Sequence, residues 1–422
     1  MTTQTKTTWR KVKLGEIGEI ITGKTPLTRE PKNFGGYFPF ITIPDLKDQR
    51  FILKTERTIS DIGAQKMKNL KLPANAVVMS CLATVGETGI TTKESFTNQQ
   101  INSIICDPQS VDYRFVYYVF RRLKRRLQKY DGSVYTNISK SKFADTEIEI
   151  PSIGDQKRIA DILCVFDDKI ELNNKISRTL EQIAQAIFKE WFVNFKFPGH
   201  EKVKMVDSEL GKIPEGWEAK SWGELESESL AGDWGDNTES TEAPRKAYIL
   251  RGTDIPALQA GSKGECPIRY LSDDSLERRK LKPGDIVIEI SGGSKGQPTG
   301  RSIFITQEIL NRFELPLVCT SFCRSVRGNG ILAPILMYLH LFRLYQTKKI
   351  WNYQLQSTGI SNFQYGQFNK YERLVIPDKI IQEKIADTLY SYIEYGHLNE
   401  NQKLAALRDL LLPRLMRGEL RV

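Results

Sequence analysis

One short segment of this sequence satisfies the expression of a phosphate-binding loop. It runs from Gly18 to Thr25, reads GEIITGKT, and fits GxxxxGK followed by Ser or Thr. The chemistry requires a helix that begins at the lysine, because free amides at a helix N-terminus hold the phosphates. The segment before Lys24 is half polar, and Pro26 directs Thr25 away from helical geometry. We interpret the match as coincidental, and an ATP-dependent nucleic-acid enzyme stays an alternative function.

Cysteine and histidine residues lack the spacing of a metal site or a catalytic triad. The three histidines are scattered, and the six cysteines include no CxxC pair. No HExxH motif is present, nor a glycine-rich strand of the kind that binds S-adenosylmethionine. We therefore predict no catalytic residue, no metal ligand and no cofactor. Cys319 and Cys323 lie in an apolar run and are predicted to be buried free thiols.

The composition indicates a basic, globular chain of more than one domain. Its 422 residues exceed one ordinary domain, and charged residues make up 27% of them. The formal charge of +10 favours a polyanionic partner such as nucleic acid. The polar N-terminal residues lack an export signal, and no apolar run approaches the roughly 18–20 residues of a membrane span. We expect a cytoplasmic protein.

The chain contains one segment twice. EIEIPSIGDQKRIADIL, around residue 150, resembles RLVIPDKIIQEKIADTL, around residue 376. Pro151 and Gln156 align with Pro377 and Gln382 at an offset of 226 residues. A repeat of only two copies, each ending in a helical pattern, differs from a solenoid, which needs more copies to close its core. The alternative is a tandem duplication without functional meaning.

The repeat extends upstream, with offsets that change along the chain. Trp9 aligns with Trp217 at an offset of 208, and Pro73 with Pro283 at 210. TNIS, at residues 136–139, aligns with SNFQ, at residues 361–364, at an offset of 225. This change predicts an insertion of about 15 residues in the second copy, between residues 300 and 361.

Each copy ends in a helical arm. Apolar residues recur every three or four positions from residue 156 to about residue 197, and again from about residue 379. An arm of about 40 residues would be roughly 60 Å long. The simplest cover for each apolar stripe is the other arm, packed as an antiparallel coiled coil. Pro413 is expected to kink or end the second arm.

The first arm carries more apolar surface than one partner helix can cover. Phe188, Trp191 and Phe192 place aromatic rings on more than one of its faces. These rings would either bind further subunits or pack under the chain's own globular modules, and both interpretations stay open. The predicted partner-binding residues are Phe188, Trp191, Phe192, Leu404, Leu407 and Leu411.

The globular modules mix strand and helix patterns. ANAVVMSC, QQINSIIC and GDIVIEI are predicted to form buried strands, and residues 117–130 a helix. One side of that helix is basic without an acidic residue among the cations. Such a face suits contact with DNA phosphates, although a charge run is more often simply solvated. The loops at residues 131–142 and 356–370 offer amide, hydroxyl and cationic groups that suit base edges, against the alternative of solvated turns.

These observations single out one set of residues for DNA contact. They lie on the basic helix, in the polar loops and at cationic positions of the second module. The predicted DNA-binding residues are Arg121, Arg122, Lys124, Arg125, Arg126, Tyr135, Asn137, Lys140, Lys142, Arg251, Lys295, Arg301, Ser361, Asn362 and Lys370.

The two arm sequences resemble the central and C-terminal repeats of Type I restriction-modification specificity subunits. The phrases ITGKTP near the start, NQQIN at Asn98 and RGTDI at Arg251 resemble recurring phrases of their target-recognition domains. The resemblance covers essentially the whole chain, and the arm motifs are its most specific part. The second arm departs from the first, because it lacks a segment like FKEWF.

The resemblance implies an α+β fold of two similar target-recognition domains separated by two long antiparallel helices. The expected segments are target-recognition domain 1 (1–153), the first arm (154–200), target-recognition domain 2 with a linker (201–378), and the second arm (379–422). Each domain would read one half of a split, asymmetric site in double-stranded DNA. The arms would bind two methyltransferase subunits, and restriction subunits could join them. The chain itself would perform no catalysis, and an assembly scaffold without DNA contact is a further alternative.

Overall fold

The computed structural model describes residues 9–46, 49–82, 84–129, 138–292, 297–357, 360–397 and 400–420. Its internal contacts divide the chain into two units. Unit 1 comprises Met1–Asp168 and Leu404–Val422, and unit 2 comprises Lys169–Lys403. Each unit therefore contains one globular module and parts of both arms. The four segments expected from the sequence stay a prediction beside these contact-based units.

Unit 1 is a mixed module. Its strands are β1 (Arg10–Lys13), β2 (Gly18–Thr22), β3 (Phe34–Ile41), β4 (Phe51–Ile52), β5 (Arg57–Ile59), β6 (Val77–Ser80), β7 (Thr88–Thr91), β8 (Phe96–Thr97), β9 (Ile101–Cys106) and β10 (Glu147–Ile150). Its helices are α1 (Asp61–Lys66), α2 (Tyr113–Lys129), α3 (Lys140–Ala144), the first part of α4 (Ile153–Phe192) and most of α12 (Glu400–Leu415).

Unit 2 contains the remaining elements. Its strands are β11 (Met205–Ser208), β12 (Gly211–Pro214), β13 (Glu218–Ser221), β14 (Glu226–Ala231), β15 (Arg245–Leu250), β16 (Ile268–Leu271), β17 (Ile286–Glu289), β18 (Ser291–Gly292), β19 (Ser302–Phe304), β20 (Leu317–Cys319), β21 (Cys323–Gly328), β22 (Gln354–Ser357), β23 (Ile360–Phe363) and β24 (Arg373–Ile376). Its helices are α5 (Trp222–Leu225), α6 (Ile255–Gln259), α7 (Asp273–Arg279), α8 (Gln307–Leu310), α9 (Pro334–Gln346), α10 (Tyr365–Tyr371), α11 (Lys379–Gly396) and the second part of α4.

The two modules share their strand connections. The order β2-β9-β6-β7-β4 in unit 1 corresponds to β14-β21-β17-β19 in unit 2. The order β5-β3-β8 corresponds to β16-β15-β20, with one antiparallel and one parallel pairing in each. The first and last strands of each module also pair, β1 with β10 and β13 with β24. The internal repeat predicted from the sequence is therefore a repeat of topology.

The structure refines the position of the extra residues in the second copy. β6 and β17 begin at Val77 and Ile286, an offset of 209 rather than the predicted 210. The offset has already grown to 222 where β9 and β21 begin, at Ile101 and Cys323. Most of the insertion thus lies between β17 and β21, in the segment that contains α8. The sheet tolerates it there because the extra residues lie between strands and leave the pairing intact.

The predicted buried strands and basic helix are present. β6 is buried along its whole length, since the sheet places it between β9 and β7. Phe115 and Phe120 of α2 lie in the same apolar core as Leu163 of α4 and Leu412 of α12. Both arms therefore contribute to the core of unit 1, because an amphipathic helix is stabilised by burying its apolar stripe.

The arms run in opposite directions where they contact each other within unit 2. The Ser177 hydroxyl donates to the carbonyl of Gly396 at 2.8 Å, and the Asn173 amide donates to Asn401 at 2.9 Å. The second arm is not one helix, which corrects the expectation of two long helices. α11 ends at Gly396 and α12 begins at Glu400. Glycine at the last position explains the end of α11, because it has the least helix propensity after proline.

Two smaller expectations are also resolved. Pro413 lies inside α12, two residues before its end at Leu415. Cys319 and Cys323 are buried free thiols, and burial raises the pKa of Cys319 to about 12. Among the helices within the described ranges, none combines the length and the apolar character that crossing a bilayer demands.

Candidate nucleic-acid interface

Three loops meet beside one end of the main sheet in unit 1. The backbone N–H of Lys24 donates to the carbonyl of Thr97 at 3.0 Å, and the Thr25 hydroxyl donates to the Gln99 side chain at 2.6 Å. The backbone N–H of Cys81 donates to the carbonyl of Gln100 at 2.7 Å. The phrases ITGKTP and NQQIN, far apart in sequence, therefore lie side by side. We call residues 23–26, 81–82 and 98–100 loop cluster 1.

Unit 2 builds the same arrangement with the same backbone contacts. Asp233 donates its N–H to the carbonyl of Cys319 at 2.8 Å, as Lys24 does to Thr97. Ile290 donates to the carbonyl of Phe322 at 2.8 Å, as Cys81 does to Gln100. We call residues 232–235, 290–291 and 320–322, together with Asn362, loop cluster 2.

A glycine at the same position of each cluster permits the close approach of the loops. A Cβ atom on Gly23 would lie 2.2 Å from the carbonyl oxygen of Thr97. A Cβ atom on Gly232 would lie 2.0 Å from the carbonyl oxygen of Cys319. Only glycine fits at these distances. The glycine of the phosphate-loop match therefore has a packing role, and the chain after Lys24 forms no helix.

Loop cluster 1 presents hydrogen-bonding and cationic groups. Lys24 and Gln99 are exposed, and Gln100 is half-buried. Asn98 is buried and shapes the loop, because its side chain accepts from the Gln100 N–H at 3.0 Å. Asn102 is also buried and links Thr22 to the carbonyl of Ile138. The asparagines of NQQIN therefore hold the loop, and the glutamines face outward.

Loop cluster 2 presents aromatic groups at the matching positions. Phe322, which corresponds to Gln100, has 57% of its surface exposed. Trp234, which corresponds to Thr25, is 38% exposed, with the Arg269 guanidinium 5.0 Å from its ring centre. The Ser291 hydroxyl donates to the exposed Asn362 side chain at 2.6 Å beside them. The two modules thus share a scaffold and differ in the groups that they expose.

Known proteins similar to this chain share one description. A family model described as the Type I restriction modification DNA specificity domain matches residues 6–182. The Type I restriction enzyme MjaIX specificity subunit of Methanocaldococcus jannaschii is 28% identical over 98% of this chain and 94% of its own length. The HindI specificity subunit of Haemophilus influenzae is 35% identical over 38% of this chain and 34% of its own length.

The chain is thus similar to Type I restriction specificity subunits over nearly its whole length. A solved S subunit of a Type I restriction-modification system from M. genitalium has the same fold, with a TM-score of 0.52 and 15% identity. The likeness covers 98% of both chains. The fold expected from the sequence resemblance, two similar mixed domains with helical arms, is confirmed apart from the break in the second arm.

The basic helix α2 is not the unpaired face that the sequence predicted. Lys124 pairs with Glu87 at 2.7 Å. Arg121 donates to the Tyr117 hydroxyl at 3.2 Å, and Arg122 donates to the carbonyl of Met416 at 2.9 Å. Lys124 and Arg122 find partners because α2 packs against other parts of unit 1, whereas the partner of Arg121 lies one turn away on α2 itself. The side chains of Arg125 and Arg126 lie outside the described residues.

Two arginines of the second module have structural partners as well. Arg251 forms two hydrogen bonds with the buried Asp254, at 2.8 and 2.9 Å. Burial alone would raise the pKa of Asp254, but the hydrogen bonds from Arg251 and two backbone amides hold it below its usual value. Arg301 pairs with the buried Glu289 at 2.7 and 2.9 Å. Removing either arginine would leave a buried carboxylate without its cation.

The polar loops divide into buried and exposed members. Ser361 is buried and donates to Gln354 at 2.7 Å, which opposes a direct contact with a base. Asn362, Lys140, Lys142 and Lys370 are exposed and stay predicted DNA contacts. The predicted contacts Tyr135, Asn137 and Lys295 lie outside the described residues.

Most of the predicted partner-binding aromatics are covered by the chain itself. Phe188 and Phe192 retain 4% and 6% exposure in the core of unit 2, and Trp191 packs at its edge. The prediction that these rings form an open partner surface is therefore wrong for Phe188 and Phe192, and the module covers them. Leu407 is 50% exposed, while Leu404 and Leu411 are half-buried.

Sequence reasoning missed several exposed residues of the loop clusters. Lys24, Gln99, Gln100, Trp234 and Phe322 were not among the predicted DNA contacts. The signal for the first three was present, because ITGKTP and NQQIN resemble phrases of the family's target-recognition domains. Trp234 and Phe322 carry no such phrase, and only their equivalence to Thr25 and Gln100 in the fold identifies them.

Proposed function

We propose that loop clusters 1 and 2 read the two halves of a split target in double-stranded DNA. The observation that carries this proposal is that one backbone arrangement occurs twice with different exposed side chains. A reader of an asymmetric site needs one scaffold with two specificities. The +10 charge of the chain favours a phosphate-rich partner.

The exposed groups of loop cluster 1 suit direct readout. Glutamine can bind adenine with two hydrogen bonds in the major groove, and lysine can donate to guanine or to a phosphate. Lys140, Lys142 and Lys370 would add phosphate contacts that position each module without reading sequence. In this assignment the paired cations Arg121, Arg122, Lys124, Arg251 and Arg301 stabilise the fold.

The chain performs no catalysis in this proposal, and its arms bind methyltransferase subunits, two in number. Apolar side chains exposed on the arms support this part, because an exposed apolar stripe on a helix is typical of a binding surface. Such residues include Val165 and Leu172 on α4 and Leu407 and Leu410 on α12. Restriction subunits would join the same assembly, which would work in the cytoplasm.

Mapping methylated adenines tests the reading role. DNA is exposed to this chain together with the methyltransferase of its own system, and the methylated motif is determined by sequencing. The variant Gln99→Ala/Gln100→Ala should relax one half of the motif and leave the other half unchanged. Lys157→Ala, an exposed change on the first arm, serves as the control.

Two results would contradict the proposal. An unchanged motif in the double variant, with normal assembly, would remove loop cluster 1 from the reading surface and favour a scaffold without DNA contact. ATP binding by the purified chain that is lost in Lys24→Ala would favour the enzyme alternative. Against that alternative, no helix begins at Lys24 to hold a phosphate.

A further inference from the structure

One position in the two loop clusters carries side chains of opposite character. Gln100 and Phe322 directly precede equivalent strands of the two modules, β9 and β21 respectively. Their carbonyls accept equivalent hydrogen bonds, from Cys81 at 2.7 Å and from Ile290 at 2.8 Å. The backbone is therefore the same, and the side chain alone differs.

The backbone at Phe322 is held by hydrogen bonds while its ring lies largely in solvent. Its carbonyl accepts a second hydrogen bond, from Ser291 at 3.1 Å, so two amides fix the residue. The ring nevertheless remains 57% exposed. Exposing a phenylalanine forgoes much of the stabilisation that its burial supplies. An exposed aromatic ring on a hydrogen-bonded backbone indicates a surface that is covered when a ligand binds.

The surroundings of Phe322 match the edge of a base pair in the major groove. Ser291 and Asn362 form a polar pair on the neighbouring strands β18 and β23, with hydroxyl and amide groups that can contact a base edge. The thymine methyl is the apolar group of that groove, and phenylalanine is among the side chains that contact it.

We propose that Phe322 reads a thymine in the second half-site by an apolar contact with its C5-methyl group. The inference rests on the proposed function, because it requires that loop cluster 2 faces DNA. The two half-sites are then read by different chemistry. Gln100 contributes hydrogen bonds in one, and Phe322 contributes a methyl contact in the other.

Replacing thymine by deoxyuridine removes the methyl group and leaves every hydrogen bond of the base pair. The full chain, in complex with its methyltransferase, is titrated with duplexes that carry deoxyuridine at each thymine position of the second half-site in turn. At one position the substitution should weaken binding about fourfold, the value of one buried methyl group. In Phe322→Ala the same substitution should have no effect, whereas Phe322→Leu should retain part of it.

The controls separate this inference from the proposed function. Gln100→Ala should leave the deoxyuridine effect in the second half-site intact. The methyl contact is overturned if Phe322→Ala is as sensitive to deoxyuridine as the native chain. It is also overturned if the second half-site contains no A·T pair. If Gln99→Ala/Gln100→Ala also leaves the methylated motif unchanged, the reading role of the clusters fails with it. If the double variant does change the methylated motif, but the deoxyuridine effect is the same in Phe322→Ala as in the native chain, only the Phe322 contact is refuted.

Discussion

At the scale of single residues, two titratable groups, the half-buried Glu181 and the buried His397, face one cavity of unit 2. The cavity has a volume of about 190 Å³, and Glu181 of α4 and His397, at the end of α11, both line it. Burial raises the pKa of Glu181 to about 7, although the Tyr338 hydroxyl opposes this from 3.5 Å. Burial and the neighbouring Arg312 lower the pKa of His397 to about 3. Glu181 should therefore lower the free energy of unfolding as pH rises, and His397 should lower it as pH falls.

Glu181→Gln should stabilise unit 2 above pH 7 and have little effect near pH 5. The folded protein holds a proton on Glu181 between its usual value of 4.5 and about 7, so stability is lost as pH rises through that range. The neutral amide removes this loss, which we expect to be about 1–2 kcal/mol. Urea unfolding by tryptophan fluorescence measures unit 2, since five of the six tryptophans belong to it. An equal effect at both pH values would contradict the prediction.

His397→Gln should reduce the loss of stability on acidification. The unfolded chain binds a proton on His397 below about pH 6.5, while the folded chain does not until about pH 3. Stability is therefore lost as pH falls through this window, by about 1–2 kcal/mol between pH 7 and pH 5. The slope of the unfolding free energy over that interval is compared with the native chain. His200→Gln, a half-buried histidine, is the matched control, and an identical change in both variants would refute the assignment.

At the scale of elements, one glutamine locks each arm to its module. Gln156 donates to the carbonyls of Pro151 and Ser110 and accepts from the N–H of Asp112. Gln382 makes the equivalent contacts with Pro377, Ile331 and Ala333. The repeated glutamine of the two arm sequences thus satisfies backbone groups where the helix leaves the module.

Gln156→Ala should destabilise unit 1 by about 2–4 kcal/mol, because it leaves buried backbone groups without partners. Amide exchange of α2 and of the first turns of α4 should rise together. Gln382→Ala should cost less, since Gln382 is half-buried and water can replace part of its contacts. Lys157→Ala changes an exposed neighbour and should leave the exchange unchanged. A cost of Gln156→Ala no larger than that of Lys157→Ala would contradict the junction role.

At the scale of the whole molecule, unit 1 is built from two segments that are far apart in the sequence. Residues 404–422 belong to unit 1, although the whole of unit 2 precedes them in the chain. Leu412 and Leu415 lie in the core of unit 1, and Arg408 pairs with the buried Asp167. The C-terminal segment is thus a structural part of the N-terminal module.

Leu412→Ala should therefore destabilise unit 1 rather than unit 2. The loss of a buried leucine costs about 2–5 kcal/mol. Leu410→Ala, on the same helix and 60% exposed, should stay within about 0.5 kcal/mol of the native chain. Amide exchange of β6 reports on unit 1, and the tryptophan transition reports on unit 2. A shift of the tryptophan transition alone would refute this membership of the C-terminal segment.

Local patterns were enough to predict much of this architecture. The period of the apolar residues predicted both arms, and the repeated arm motifs predicted two modules of one kind. β6, β9 and β17 follow from apolar runs of β-branched residues. The rejection of the phosphate loop likewise depended only on neighbours of Lys24. Each of these features is set by residues close in sequence, so the amino-acid sequence alone is enough to predict it.

The tertiary structure alone decided which side chains are available. Lys124 looked unpaired until the fold placed it beside Glu87, and Arg122 until it met the carbonyl of Met416, 294 residues away in sequence. Phe188 and Phe192 looked like a partner surface until the module of unit 2 covered them. Pairing and burial depend on contacts between distant segments, whose free energies no local pattern contains. The sequence by itself determined the elements and the repeat, and the packing of those elements decided which residues can meet DNA.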